Sequence, residues 1–103
     1  MPNQRLQQIK KRIADIKAEL AAIGEMRPGS LTRQYKDPAH QSGAYYQLSY
    51  TREMKSRTEY VSRERLREVR HQIRAYKRFR SLIAEWVKLS IELCRLAMRS
   101  ARH

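Results

Sequence analysis

A row of arginines in the last third of the chain contains the residues best suited to chemistry. The row comprises Arg63, Arg67, Arg70, Arg74 and Arg78. Spacings of three and four residues place such side chains along one side of an α-helix. Arginine donates paired hydrogen bonds to phosphate and to guanine. The row therefore predicts contacts with the phosphates of a nucleic acid. The alternative is a solvated face that Glu64 and Glu68 partly neutralise.

Further basic and aromatic side chains extend this predicted interface. They are Arg33, Tyr45, Arg52, Lys55 and Arg57 in the middle of the chain, His71 beside the arginine row, and Lys10, Lys11 and Lys17 near the N-terminus. Alternation along a strand places Tyr46 and Tyr50 on one face, where we predict core positions, and Tyr45 on the other. Tyr45 is the candidate for stacking on a base, and a core position is its alternative.

The charge balance indicates an anionic partner. The 103 residues include 23 Lys and Arg against 10 Asp and Glu, which gives a net charge of +13. Like charges repel one another in a compact state, and folding does not require this much positive charge. A negatively charged partner would relieve the repulsion. Nucleic acid is the leading candidate, ahead of an acidic protein or a membrane surface. A basic surface that is merely solvated is the alternative.

Residue types that bind metals or catalyse reactions are dispersed along the sequence. His40, His71 and His103 lie far apart, and Cys94 falls on the apolar side of a predicted helix, where we expect a core position. No spacing suggests a serine or cysteine nucleophile with a histidine and an acid, and no acids are paired for hydrolysis. We therefore expect no catalytic residues, no metal and no cofactor, in a protein that is not an enzyme.

Cysteine usage and the N-terminal segment predict a cytoplasmic protein. A single cysteine excludes a disulfide within the chain. The apolar residues of the N-terminal segment are periodic rather than continuous, unlike those of a signal peptide. No apolar run approaches the length of a membrane span, so we expect no membrane partner.

An apolar heptad pattern predicts a helix over residues 4–23. Its positions are Leu6, Ile9, Ile13, Ile16, Leu20 and Ile23. Such a seam must pack against another helix, and a similar seam occupies residues 79–97. We predict antiparallel packing of the first helix on that segment. Pairing between two copies of the chain is the alternative.

A long basic helix is predicted over residues 62–100, because this stretch contains neither glycine nor proline. Ser62 is the expected N-cap. Residues 31–61 form the predicted β-hairpin region. Its strands are predicted at 31–36, 44–51 and 56–61, with a charged turn at 52–55.

The fold class is therefore α+β and mostly α, in a single domain over residues 1–103. It consists of an N-terminal heptad helix, a small antiparallel β-hairpin or three-stranded sheet, and a long C-terminal basic helix.

Four short motifs follow one another between residues 28 and 79. They are Pro-Gly-Ser-Leu at 28–31, Gly-Ala-Tyr-Tyr at 43–46, Lys-Ser-Arg-Thr-Glu-Tyr-Val at 55–61 and Tyr-Lys-Arg-Phe at 76–79. Together, over about residues 27–90, they resemble a domain of unknown function found in short basic bacterial and archaeal proteins. The resemblance implies this architecture and an association with mobile genetic elements. The cysteines of that family, which look like metal ligands, are absent from residues 35–43, so we expect no bound zinc.

These observations predict a small basic nucleic-acid-binding accessory protein, associated with a mobile element or another nucleic-acid-processing complex. A larger protein or a second copy would be a further partner. One alternative is a helical interaction subunit or homodimer that uses its heptad seams. Another is a module like double-stranded-RNA-binding domains, which share the element order, although their Lys-Lys-x-Ala-Lys signature is absent here. The pattern fits DNA and RNA alike. It also predicts no sequence specificity, because phosphate contacts carry no sequence information.

Overall fold

The computed structural model describes residues 2–101 of the chain. Its elements are α1 (Pro2–Ala22), β1 (Ser30–Asp37), β2 (Ser42–Arg52), β3 (Lys55–Val61), a 3₁₀ turn (Arg63–Arg65) and α2 (Leu66–Ala101). The predicted fold class is confirmed, and the strands form a three-stranded antiparallel sheet in the order β1-β2-β3. Within the described residues, neither helix combines the length and the apolar character needed to cross a bilayer.

The chain divides into two compact units. The helical unit combines the chain up to Gly24 with the chain from Arg78 onward, and the sheet unit comprises Glu25–Lys77. Helix α2 contributes its first turns to the sheet unit and the rest to the helical unit. Each unit has a hydrophobic cluster of its own.

The core of the helical unit confirms the predicted seam between α1 and the second half of α2. Its buried residues are Ile9, Ile13, Ile16, Leu82 and Leu89, and Leu20, Ile23, Trp86, Leu93 and Leu96 pack against them. Apolar side chains at heptad spacing interlock when two helices pack along their length. The seam of α1 is therefore occupied within one copy of the chain.

Two arginine–glutamate pairs join α1 to α2 beside this core. Arg5 donates hydrogen bonds of 2.7 and 2.8 Å to the two carboxylate oxygens of Glu92. Arg12 donates to both oxygens of Glu85 at 2.7 Å. Hydrogen bonds from these guanidinium groups lower the pKa of Glu85 and of Glu92, because they stabilise the ionised carboxylates. The same bonds raise the pKa of both arginines.

A third ion pair continues the series with reversed polarity. Arg78 on α2 donates to Glu19 on α1 at 2.7 Å, and Arg12 lies 3.5 Å from the same glutamate. Each step of seven residues forward along α1 is matched by a step of seven backward along α2. The helices are therefore antiparallel, as predicted. We call the three pairs the ion-pair ladder.

The start of the long helix differs from the prediction. The α-helical part begins at Leu66, after the 3₁₀ turn. Ser62 precedes this turn in an extended conformation, and its side chain makes no capping hydrogen bond. Its carbonyl oxygen instead accepts a hydrogen bond from the Arg65 N–H at 3.1 Å. Ser62 therefore occupies the N-cap position of the 3₁₀ turn, but the predicted serine side-chain cap is wrong, since its hydroxyl makes no capping hydrogen bond.

The sheet unit buries one face of its sheet. The buried residues are Leu48, Val61, Val69 and Ile73, and Leu31, Tyr46, Tyr50 and Leu66 pack around them. Tyr46 and Tyr50 lie on the core-facing side of β2, as predicted, where both are partly buried against this cluster. A two-residue turn at Glu53 and Met54 joins β2 to β3, as expected from the charged segment, with φ angles of 53° and 64°.

Gly29 lies where the chain enters the sheet. Its φ of 138° lies in a region that side-chain-bearing residues rarely adopt. A Cβ atom at this position would approach the Cδ1 atom of Leu48 to 2.5 Å. The residue therefore combines an unusual backbone conformation with close packing against a fully buried leucine.

Candidate nucleic-acid interface

A cleft of about 480 Å3 opens in the sheet unit beside the first turns of α2. The residues that line it are Gly29, Ser30, Leu31, Arg33, Tyr46, Arg70, Ile73, Arg74 and Lys77. Four of these are cations, one is aromatic and none is acidic. We call this concave surface the basic cleft. Concave surfaces lined by charges of one sign concentrate ions of the other sign.

The four cations of the basic cleft are not neutralised by neighbouring acids. Arg33, Arg70, Arg74 and Lys77 are exposed, and none forms an ion pair with any residue from 2 to 101. The arginines of the ion-pair ladder, in contrast, all have glutamate partners. The positive charge of the cleft therefore remains available to an external anion.

Two of these guanidinium groups lie over aromatic rings. The guanidinium carbon of Arg70 lies 5.8 Å from the ring centroid of Tyr46, and that of Arg33 lies 5.4 Å from the ring of Tyr35. Arg33 and Tyr46 are also direct partners in the β1–β2 register. A ring face attracts a guanidinium and leaves the N–H groups at its edge able to donate to phosphate oxygens.

Helix geometry explains which residues of α2 reach the basic cleft. Successive residues are turned by about 100°, so Lys77 lies roughly 20° from Arg70 around the axis, whereas Arg78 lies roughly 80° away on the other side. Lys77 lines the cleft, while Arg78 pairs with Glu19 in the helical unit. The sequence prediction missed Lys77. Its spacing of three residues from Arg74 could have identified it.

The remaining residues of the predicted arginine row lie outside the basic cleft. Arg67 and His71 are exposed on α2 and do not contribute to its lining. Arg63 belongs to the 3₁₀ turn and not to α2. The predicted row is therefore confirmed for Arg67, Arg70, Arg74 and Arg78, which share one side of α2, and wrong for Arg63, which precedes the helix. Within the row, Arg70 and Arg74 line the cleft, whereas Arg78 pairs with Glu19.

The predicted lysines of the N-terminal helix belong to the helical unit. Lys10 and Lys11 are exposed on α1. The ammonium group of Lys17 lies 5.4 Å from the centroid of the Trp86 ring. Trp86 in turn packs against the core of that unit. None of these three lysines lines the basic cleft.

The predicted residues of the β2–β3 hairpin are divided between the two faces of the sheet. Pairing in the register places Arg52, Lys55 and Arg57 on the same face as Tyr50 and Arg33, but outside the lining of the cleft. Arg52 lies 4.0 Å from the carboxylate of its neighbour, Glu53.

Tyr45 occupies the opposite face of the sheet. Its ring centroid lies 6.5 Å from that of Tyr60 on β3. Neutral polar side chains surround this pair in the register, including Gln34 opposite Tyr45 and Gln47 opposite Tyr60. Tyr45 is therefore separated by the sheet from Arg33 and Arg57, which were predicted to act beside it.

Metal-ligating side chains do not converge in the described part of the chain. Among residues 2–101, no group of three or more His, Cys, Asp or Glu is placed to hold a metal ion. His40 contacts Asp37, with 2.8 Å between the Nδ1 and Oδ2 atoms. His103, one of the three histidines considered from sequence, lies outside the described residues. Cys94, predicted as a core residue, is exposed, so that prediction is wrong.

The fold and the cleft define a small, strongly basic α+β protein with a helix-and-sheet concavity lined by unpaired cations. Residues 4–71 match the family described as a domain of unknown function (DUF6788), and the chain belongs to that family. The match includes all but the first two residues of α1 and the whole sheet, and it ends before the Tyr-Lys-Arg-Phe motif at 76–79. Comparison with curated proteins finds no match, and comparison with solved structures finds none either.

Proposed function

We propose that the protein is a small nucleic-acid-binding accessory protein and that the basic cleft binds the phosphate backbone of the nucleic acid. The observation that supports this proposal is the cleft itself, with four exposed cations, no acid in its lining and no ion pair to those cations within residues 2–101. Association with a mobile element or another nucleic-acid-processing complex is part of the proposal and rests on the motif resemblance.

A polymer suits this surface better than a small anion does. Cations of the cleft come from β1 and from successive turns of α2, with Arg70 and Lys77 about 10 Å apart along the helix axis. Exposed cations outside the cleft, such as Arg57 and Arg67, add further positive charge to the same unit. Repeated phosphates engage such a distributed surface and release their condensed counterions, which makes binding favourable and sensitive to salt.

Binding across a salt series tests this proposal. The variant Arg74→Ala/Lys77→Ala removes two cations from the cleft, and Arg80→Ala/Arg99→Ala removes the same charge from exposed sites of the helical unit. Fluorescence anisotropy would follow labelled DNA duplex, RNA duplex and single strands of matched length. We expect the cleft variant to flatten the slope of log affinity against log salt by about 0.9 per lost contact on duplex DNA and about 0.7 on single strands.

The control variant should keep the wild-type slope. Curves that superimpose for wild type and Arg74→Ala/Lys77→Ala would remove the cleft from the function. Tighter binding to RNA duplex than to DNA duplex would favour the alternative of a double-stranded-RNA-binding module, because only RNA presents 2′-hydroxyl groups.

A further inference from the structure

Helix α2 carries a second apolar seam, which α1 does not cover. Its residues are Ala84, Val87, Ile91, Cys94 and Met98, at alternating spacings of three and four. Val87 is 54% exposed, Ile91 49% and Met98 62%. None of the five belongs to the cluster between α1 and α2. We call this stripe the free seam.

The free seam lies on the opposite side of α2 from the seam that packs on α1. The covered positions Leu82 and Leu89 are turned by roughly half a revolution from the free positions Ile91 and Met98. A shallow apolar groove of about 560 Å3 follows the free side. Trp86 contributes to both sides, because it packs against the core and also lines this groove.

The spacing of the free seam suits a helical partner. From Ala84 to Met98 it extends over about 21 Å, which is two heptads of helix. Exposed apolar side chains that recur at heptad spacing form the knobs and holes of helix pairing. A helix such as α2, with apolar stripes on two opposite sides, has the pattern of a central helix with a neighbour on each side.

The charges beside the free seam specify the chemistry of that neighbour. Lys88 and Arg95, seven residues apart, lie together along one border of the seam, and neither forms an ion pair within residues 2–101. The nearest acids of α2, Glu85 and Glu92, are held by arginines of α1. The free seam is thus an apolar stripe with a positively charged border.

A second copy of the chain fits this border poorly. It would bring another net charge of +13 and another pair of cations to the same contact. Like charges at positions that flank a helix pair oppose association, and opposite charges favour it. We propose that the free seam docks an amphipathic helix of a partner protein, with an apolar heptad stripe flanked by Glu or Asp. This site is separate from the basic cleft and does not depend on nucleic-acid binding.

A designed peptide tests this proposal. The probe is a three-heptad peptide without tryptophan, with Leu at the a and d positions of each heptad and Glu at the flanking e and g positions. Its control peptide carries Lys in place of each of these Glu residues. Trp86 is the single tryptophan of the chain and lines the groove, so its fluorescence reports docking. We expect saturable binding of the Glu peptide with a blue shift of Trp86 emission, and at least tenfold weaker binding of the Lys peptide.

Two variants separate this site from general attraction to a basic protein. Val87→Gln/Ile91→Gln should weaken the Glu peptide at least tenfold, and both positions are exposed enough for the fold to tolerate the change. Lys88→Glu/Arg95→Glu should reverse the preference in favour of the Lys peptide. The matched control Lys10→Glu/Lys11→Glu changes the same charge on α1 and should keep the preference for the Glu peptide.

Three results would overturn the proposal. The first is no binding of the Glu peptide to the wild-type protein. The second is equal affinity of the Glu peptide for wild type and Val87→Gln/Ile91→Gln, which would place its contact elsewhere. The third is a concentration-dependent dimer of the wild type that Val87→Gln/Ile91→Gln abolishes, because a second copy would then occupy the seam.

Discussion

At Gly29, backbone conformation and packing both restrict the choice of side chain. We expect Gly29→Ala to lower the free energy of unfolding by about 1–3 kcal/mol, through strain at positive φ and overlap with Leu48. Urea denaturation would measure the change. Gly24→Ala is the matched control, since a Cβ at Gly24 meets nothing within 4 Å, and it should be nearly neutral. Equal midpoints for the two variants would contradict this account.

The cation–π contact between Arg70 and Tyr46 links the core of the sheet unit to its basic cleft. Tyr46 packs, partly buried, against the cluster that contains Leu48 and Val61, so the core restricts where its ring can lie. Arg70 lies over that ring, on the side where the cleft opens. The core thus limits the freedom of a residue that would bind phosphate, which reduces the entropy that binding must overcome.

Residue types and spacing identified Arg33, Arg70 and Arg74 of the cleft, but they did not assign every side chain to its surroundings. Arg78 has the spacing of the arginine row, yet its partner Glu19 lies 59 positions earlier in the sequence. Cys94 has apolar neighbours in the sequence, but α2 carries two apolar stripes. Cys94 belongs to the exposed stripe and not to the one that packs against α1. A one-dimensional pattern cannot determine which stripe faces α1, because that choice depends on how the two helices pack.

At the scale of elements, the ion-pair ladder makes the stability of the helical unit depend on pH. The pKa of Glu85 and of Glu92 is lowered in the folded protein, so their stabilising contribution is present above the ordinary glutamate value of 4.5 and is lost as pH falls through the folded value. We expect Glu85→Gln to lower the melting temperature at neutral pH. The difference from wild type should shrink as pH falls below about 4.5.

A charge exchange provides the control for this prediction. Glu85→Arg should lower the melting temperature at neutral pH further than Glu85→Gln does, since it places a like charge beside Arg12, and adding Arg12→Glu should recover part of the loss. Thermal melts followed by circular dichroism would measure both. A double variant no more stable than Glu85→Arg alone would show that the pair is not coupled.

The elements themselves were predictable because their signals are local. The heptad of α1 and the absence of glycine and proline from α2 act within a few turns, and the tyrosine-rich alternation of β2 acts within one strand. The 3₁₀ turn before α2 was not predicted, because Ser62 has the residue type of a cap, and the residue type does not reveal that its side chain makes no capping hydrogen bond.

The net charge of +13 should make the stability of the protein depend on polyanions. A ligand that binds the folded state stabilises it by mass action, by about 2.7 kcal/mol at a hundred times its Kd. We therefore expect a DNA or RNA duplex to raise the melting temperature, and Arg74→Ala/Lys77→Ala to reduce that rise. Scanning calorimetry at low salt, with and without duplex, would measure it. If the melting temperature of the wild type is the same with saturating duplex as without it, this would contradict nucleic-acid binding to the folded state.

Reversed polarity in the last pair of the ion-pair ladder has a consequence for how the chain reaches its native pairing. Heptad seams alone tolerate sliding by seven residues, since apolar positions then meet apolar positions again. One such slip would bring Glu19 opposite Glu85, and the opposite slip would bring Arg12 opposite Arg78. Either misaligned pairing of α1 with α2 therefore contains a like-charge contact that the native pairing lacks. The arrangement discriminates among competing alignments during folding, even where each exposed pair adds little to the final stability.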